Sequence, residues 1–308
     1  MKTPQISIII PLYNEEKLFN TLVERITAIL DSLQVVQAVL VDDGSTDNTP
    51  FLMELISKKD ERFKSVFLSR NHGHQIAVSA GMYYADAEEA IMIIDGDLQD
   101  PPELINDFYS KLQEGYDVVY AVRKNRKENF MMKSAYWLYY RLQKSVSNYN
   151  IPLDSGDFCM ISKRVKDIMV SMPEESRYLR GIRSWVGFKQ FGYEYDRQER
   201  HAGESKYSIK KLVELAFNGI FNFSKYPITL MYRLGLLSII FGIIYIFHLI
   251  YLKLTSNILP QGYVTLFFGV LFFSGVQLIS LGLIGEYVFR IYSQVRQRPL
   301  FIIDKVIN

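Results

Sequence analysis

The sequence predicts an α/β fold, a mostly parallel sheet with helices on both faces, followed by two membrane-length segments. Three observations predict it. Short apolar runs alternate with amphipathic stretches through the N-terminal part of the chain, the pattern of parallel strands joined by crossover helices. The runs end in polar clusters, at the edge where ligands of such sheets bind. Two late runs are each about 20 residues of nearly unbroken apolar sequence, enough to cross a hydrocarbon core.

Taken in order, the strand candidates are Ile6–Pro11, Ala38–Asp42, Ser65–Ser69, Ala90–Asp95 and Asp117–Val122. Helical patterns lie between them, near Glu15–Leu33, Thr46–Lys59, His74–Ala87 and Pro102–Glu114. In the first of these, Leu18, Leu22, Ile26, Ile29 and Leu33 recur every three or four residues, so they share one helix face. The clusters Asn14-Glu15-Glu16, Asp42-Asp43-Gly44-Ser45, Arg70-Asn71-His72 and Asp95-Gly96-Asp97 each follow a strand candidate. Their shared position marks them as parts of one site.

Leu234 to about Leu252 has His248 as its only ionisable residue. Val264 to about Phe289 is interrupted by Gln277 and, near its end, Glu286. Both faces of each run are apolar, which suits a membrane span better than a helix packed in a soluble core. Arg233 precedes the first run and Arg290, Arg296 and Arg298 follow the second, while the connection Lys253–Tyr263 holds one basic residue. By the positive-inside rule both ends face the cytoplasm. Ser205–Ser224 and Phe130–Tyr149 carry apolar faces beside Lys and Arg, as helices lying in the membrane interface do; packing on the globular core is the alternative. The expected organisation is a cytoplasmic domain over residues 1–204, including the amphipathic segment 130–149, and a juxtamembrane helix over 205–228. Two spans follow within 229–289, joined by the external loop 253–263, and a cytoplasmic tail covers 290–308.

A net charge of +2 leaves no dense basic stripe, and nucleic acid is not an expected partner. The single cysteine, Cys159, excludes an intramolecular disulfide and fits a reducing compartment. Its apolar neighbours mark it as a small buried side chain. Met1 to Gln5 leads straight into a strand pattern, so no secretory signal is expected.

The chemistry concentrates after Ile91-Met92-Ile93-Ile94, where Asp95-Gly96-Asp97 ends an apolar strand. Buried carboxylates need a partner or a metal. Two of them across a glycine turn suit one hard divalent ion, which commonly binds substrate phosphates as well. Gly96 is expected to allow a tight backbone turn. The Asp42-Asp43-Gly44-Ser45-Thr46-Asp47 turn offers acceptors for a nucleobase and ribose hydroxyls. A calcium loop is disfavoured there, because Asn48 stands where the turn glycine belongs and a strand, not a helix, precedes it. His72, His74 and His201 read as loop residues outside any metal set.

These motifs together resemble family 2 glycosyltransferases of the polyprenyl-phosphate branch, similar to dolichol-phosphate mannose synthases and bacterial undecaprenyl-phosphate glucosyltransferases. The matching stretches are Ile10-Pro11-Leu12-Tyr13-Asn14-Glu15, Val41 to Asp47, Asp95 to Glu103, Val119-Tyr120-Ala121-Val122-Arg123, Gly156-Asp157-Phe158 and Arg200 to Tyr207, in the family's order. The resemblance implies a GT-A (Rossmann-like) nucleotide-sugar-binding domain. It implies that Pro11, Tyr13, Glu15, Asp43 and Asp95 cradle the nucleoside. Asp95, Asp97 and Gln99 would hold Mg²⁺ or Mn²⁺ against the donor diphosphate, with Asp97 counted as catalytic on that ground. Asp157 matches the position usually assigned as catalytic base. A phosphate monoester acceptor, with its second pKa near 6, gains little from a base, so an orienting role stays open. Arg123, Arg126, Lys133, Arg200, Ser205 and Lys206 would gather around the acceptor phosphate and the leaving diphosphate, for which arginine forks are well shaped.

The function implied is inverting transfer of one sugar, from UDP-glucose or a related UDP-hexose, to undecaprenyl (polyprenyl) phosphate at the cytoplasmic face of a bacterial inner membrane. The product would feed cell-envelope glycan modification. Two rivals stand beside it. A processive polysaccharide synthase would carry Gln-x-x-Arg-Trp, where this chain has Arg180-Gly181-Ile182-Arg183-Ser184-Trp185. A non-catalytic membrane scaffold would have no need of Asp95, Asp97, Gln99 and Asp157. The sequence leaves open which sugar is moved, and a homo-oligomer is considered from the glycines of the two spans.

Overall fold

Among the described residues, eight strands form one sheet in the order β7-β5-β6-β4-β1-β2-β3-β8. The computed structural model describes residues 3–33, 36–123, 155–175, 177–196, 226–256 and 262–308. The strands are β1 (Ile6–Leu12), β2 (Val36–Asp42), β3 (Phe63–Leu68), β4 (Ala90–Ile93), β5 (Val118–Arg123), β6 (Ser155–Ser162), β7 (Gln190–Tyr195) and β8 (Ile303–Ile307). β4, β1, β2 and β3 pair in parallel, and β5 and β7 run in the same direction. Among the described strands only β6 and β8 run against the rest. The sheet is therefore mostly parallel, as expected.

Every residue of β1 and β2 is buried, because helices cover both faces and an apolar run with no polar alternation is what such a strand requires. On one face α1 (Glu16–Ser32), α2 (Thr49–Lys59) and α4 (Ile105–Gln113) place Phe19, Leu22, Ile26, Met53 and Phe108 against Ile8, Ile10 and Leu40. On the other, α3 (His74–Tyr84), α5 (Lys163–Ser171) and α6 (Leu179–Val186) place Ala77, Val78, Met82, Val165 and Ile182 against Ile9, Val39 and Val41. Gly81 lets α3 lie close to the sheet, since a Cβ there would fall 2.3 Å from Ile9 Cγ2.

Two further helices, α7 (Tyr226–Ser256) and α8 (Tyr263–Val295), are long and apolar enough to cross a membrane over Met231–Thr255 and Thr265–Val295. Among the described residues they bury almost nothing of themselves, with side chains such as Phe241, Leu254 and Leu278 bare. Apolar surface on that scale calls for a lipid environment. No atom lies within 4 Å of an added Cβ at Gly235, Gly242, Gly269, Gly275, Gly282 or Gly285, so these glycines make no close helix contact within the described residues. The amphipathic segments 130–149 and 205–224 lie outside the described residues.

One expected boundary changes. The tail over 290–308 does not stand apart from the first domain, because β8 closes the sheet edge on β3, antiparallel, with Ser65 opposite Ile307 and Phe67 opposite Lys305. Ser69 N–H donates to Ile302 O at 2.9 Å. Lys305 pairs with Glu54 on α2 and lies over the Phe67 ring at 4.7 Å. Residues beyond the second long apolar helix are thus part of the same sheet. Removing residues 303–308 should lower the thermal midpoint by roughly 5–10 °C, whereas Lys305→Ala, which loses a partly exposed ion pair, should shift it by less than about 3 °C; differential scanning fluorimetry on the full chain checks both.

Candidate active site

Three loops meet beyond the carboxyl ends of β1, β2 and β4. The first two are laced together. Asn14 N–H donates to Ser45 Oγ at 2.9 Å, Thr46 N–H to Asn14 Oδ1 at 2.8 Å and Glu15 N–H to Thr49 Oγ1 at 3.0 Å. Asn14 takes a left-handed conformation (φ 54) to make this possible, a shape that asparagine tolerates better than most residues. Tyr13 stays exposed and Glu15 partly so, while Pro11 is buried in β1.

Asp42 and Asp43 hold loops in place. Asp42 accepts from Ser45 N–H at 3.1 Å. Asp43 Oδ1 accepts from His72 N–H at 2.7 Å and its Oδ2 from Gly73 N–H at 3.0 Å. Burial pushes both carboxyls up, against these backbone donors. Gly44 (φ 69) lies where a Cβ would meet the Arg70 and Asn71 backbone at 2.5 Å, so the two loops approach as closely as backbone allows.

The acidic turn after β4 is built differently from the sequence expectation. Gly96 is needed for closeness, not for an unusual φ: its Cβ would sit 2.5 Å from Leu12 Cδ2 and 3.2 Å from Pro11 O. The left-handed residue is Leu98 (φ 58). Asp97 Oδ1 accepts from Gln99 N–H at 3.2 Å, closing an Asx turn. The Asp95 side chain is 30 % exposed, yet its Oδ1 is enclosed and has no hydrogen-bond partner among the described residues. Burial, with Asp100, Asp157 and Asp97 nearby, pushes its carboxyl up to about 6 despite His74.

Asp157 arrives from β6, and the reversal of that strand explains how. Ile93 of β4 pairs with Cys159 of β6; two residues further, in opposite directions, are Asp95 and Asp157. His74, first residue of α3, places Nε2 3.5 Å from Asp95 Oδ1 and 3.6 Å from Asp157 Oδ2. Asp157 is only 10 % exposed. Arg180 donates to it twice, Nε to Oδ1 at 2.8 Å and the terminal nitrogen to Oδ2 at 3.1 Å, and Gln75 Nε2 donates to Oδ2 at 3.1 Å. Burial alone would raise this carboxyl, but Arg180, with His74 and Arg183, outweighs it and holds Asp157 well below the usual carboxylate range. Arg183 lies beneath, over the Tyr120 ring at 5.4 Å and beside the buried Cys159 thiol, which burial pushes up.

Of the expected site residues, Asp97 and Asp157 lie near enough to Asp95 to act on its charge, Gln99 N–H donates to Asp97, Pro11 O lies against Gly96, and Tyr13, Glu15 and Asp43 stand on the loops that follow β1 and β2. Arg126, Lys133, Arg200, Ser205 and Lys206, and the side chain of Arg123 at the end of β5, lie outside the described residues. Sequence reasoning set His74 aside as a loop residue and passed over Gln75 and Arg180 as site residues. His74 and Gln75 follow the Arg70-Asn71-His72 cluster directly, so the strand-end rule would have flagged them had the cluster been extended. Among the described residues no three His, Cys, Asp or Glu side chains form a metal-binding group.

Residues 7–168, just over half of the chain, match the profile of glycosyl transferase family 2. The chain belongs to this family. It is 43 % identical over 303 residues to the uncharacterized glycosyltransferase YkcC of Bacillus subtilis, covering 98 % of this chain and 94 % of that protein. It is 35 % identical over 306 residues to a prophage bactoprenol glucosyl transferase homolog of Escherichia coli K12, covering 98 % and 99 %. Among solved structures, S. aureus TarS 1-349 in complex with UDP-GlcNAc is similar, with a TM-score of 0.45 and 21 % identity over 71 % of this chain and 67 % of that one. The fold is the GT-A type of this family, and the chain is a glycosyltransferase.

Three outcomes follow from the geometry. Arg180→Ala strips a nearly buried carboxylate of its main counter-charge and should destabilise the domain by about 3 kcal/mol in urea unfolding. A depressed carboxyl contributes stability above its unfolded pKa and loses it as pH falls below that value. The wild type should therefore lose stability below about pH 4, and Arg180→Ala should lose much less over the same range. Gly96→Ala should cost about 1–3 kcal/mol through the clash with Leu12, read by the same unfolding curves.

Proposed function

We propose that this glycosyltransferase moves one hexose from a UDP-sugar, UDP-glucose or a close relative, to polyprenyl phosphate at the cytoplasmic face of a bacterial inner membrane, with inversion. The observation that carries the reading is the join of a family 2 site to two membrane-length helices through β8. A site tied this way to a bilayer acts on an acceptor that lives there. The bactoprenol glucosyl transferase name carried by a relative that matches nearly the whole chain supports a polyprenyl acceptor. Return of the chain from α8 into the catalytic sheet supports a topology with both ends of the helix pair on the catalytic side, in agreement with the flanking arginines.

The residues fit a divalent cation. Asp95 presents an enclosed oxygen that accepts no hydrogen bond among the described residues and has only His74 Nε2 near it, at 3.5 Å, in a carboxyl that burial pushes up. Asp97 and Gln99 share its turn. A site with one or two carboxylates and no complete protein cage suits Mg²⁺ or Mn²⁺, which take further ligands from substrate phosphates. Such an ion supplies Lewis-acid stabilisation of the charge left on the departing diphosphate.

Asp157 serves as a positioning anion and not as a base. It is held ionised by Arg180 and has little affinity for a proton. The acceptor needs no base, because a phosphate monoester is already largely dianionic at neutral pH. Its oxygen attacks the anomeric carbon as the bond to the nucleotide breaks, and no proton has to move. Tyr13, Glu15 and the loop pinned by Asp43 supply the wall against which the nucleoside rests.

The test is to incubate the purified full chain in nanodiscs with labelled nucleotide sugars and undecaprenyl phosphate, and to look for an organic-extractable, acid-labile glycolipid. Asp97→Ala should cut its formation about a hundredfold or more, equivalent to about 3 kcal/mol of lost transition-state stabilisation. No glycolipid from any donor, or undiminished turnover in Asp97→Ala, would overturn the reading. Since a cation binds the ionised carboxylate, Mn²⁺ affinity should fall about tenfold between pH 7 and pH 5 as Asp95 takes up its proton near 6, measurable by electron paramagnetic resonance titration.

A further inference from the structure

We infer that the loop between α5 and α6 is the seat on which the second membrane helix docks, and that Gln294 is a positioning residue which sets the site against the lipid surface. The inference rests on the reading of α8 as bilayer-spanning. Gln294 lies in the last turn of α8, where apolar sequence gives way to Arg296, Gln297 and Arg298. Its side-chain amide is used at both ends. Nε2 donates to Pro173 O at 2.6 Å, and Oε1 accepts from Glu175 N–H at 3.1 Å. One partner is an acceptor and the other a donor, so only one orientation of the amide satisfies both. Two bonds to one short loop fix its direction as well as its distance.

The seat itself is braced. Arg177, 9 % exposed, donates to Met169 O and to Met172 O, each at 2.8 Å, tying the loop to the end of α5. The loop then runs directly into α6. Leu179 N–H donates to Gln75 Oε1 at 3.0 Å, and the same Gln75 donates to Asp157. The next residue is Arg180, whose fork grips Asp157. From the membrane exit of α8 to the buried carboxylate, every step is a hydrogen bond or a few residues of chain.

A second attachment follows at once. Beyond Gln294 the chain reaches Phe301, whose ring meets Tyr83 of α3 at 6.1 Å, and then enters the sheet as β8. One attachment would leave a hinge; two remove the swing. Such rigidity matters because the depth of a lipid-borne phosphate is set by the bilayer, and reacting atoms must approach to about 3–3.5 Å. A catalytic domain free to tilt would present Asp95 and Asp157 at varying heights above an acceptor that cannot follow.

The experiment compares wild type and Gln294→Ala, as full chains in nanodiscs, on a long-chain polyprenyl phosphate and on a short, water-soluble prenyl phosphate. Gln294→Ala should lower kcat/KM for the membrane-held acceptor about tenfold or more, the scale of a small misplacement of reacting groups. It should leave the soluble acceptor and the KM for donor within about twofold. Equal loss on both acceptors, or loss on neither, overturns the inference. Hydrogen exchange gives a readout independent of turnover: the Glu175 amide should exchange faster in Gln294→Ala than in wild type, and equal rates overturn the docking seat. A wild type that glycosylates neither acceptor would instead sink the function proposed above, with the seat still decided by exchange.

Discussion

Negative charge crowded at one edge of a fully covered sheet is the constraint on which the rest of the site depends. Asp95, Asp97, Asp100 and Asp157 all contribute to it, and carboxylates so close cannot all be ionised without positive charge among them. The fold answers in two ways. Asp157 receives a permanent counter-ion from α6 in Arg180, so its charge is fixed. Asp95 receives only the approach of His74, so its charge is left poised. One carboxylate is thereby a settled part of the framework and the other an open valence, which is where the proposed cation would sit.

That division of labour explains why the surrounding loops spend so many side chains on backbone. Asp42, Asp43, Asn14, Ser45 and Asp47 each accept from a main-chain N–H. A rim made of three separate loops would otherwise drift, and the proposed divalent ion, shared with a substrate phosphate, would tolerate little drift. On the proposed reading the acceptor is a lipid with mobility of its own, which leaves stiffness to the protein.

Much of this was readable in the chain. β1 to β5 and α1 to α4 fall where alternation and periodicity put them, since fully covered parallel strands write themselves as unbroken apolar runs. The acidic turn was legible because strand-end polar clusters converge in such folds. β6 was not, because Phe158-Cys159-Met160-Ile161 is too short an apolar run to tell strand from helix, and the direction of a strand leaves no local trace. β8 was missed for a different reason: Ile303-Asp304-Lys305-Val306-Ile307 is an edge strand with charges on it, as exposed edges require, and it reads as tail. Arg180 and Gln75 were hidden because their partner, Asp157, is distant in sequence and meets them only through that reversal.

The two strands that run against the rest are the two departures from a simple doubly wound sheet, and each imports something the parallel strands cannot. A parallel strand delivers its carboxyl end to the ligand edge, so its early residues lie at the far end of the sheet. A reversed strand delivers its beginning. β6 therefore brings Asp157 to the ligand edge beside Asp95, from a part of the chain that follows β5, while its remaining residues continue the core. β8 enters the sheet from the last helix, so the end of α8 must lie near the edge of β3. Topology thus places the Asp95–Asp157 charge and the end of a long apolar helix on one sheet, and the geometry between them follows from strand direction.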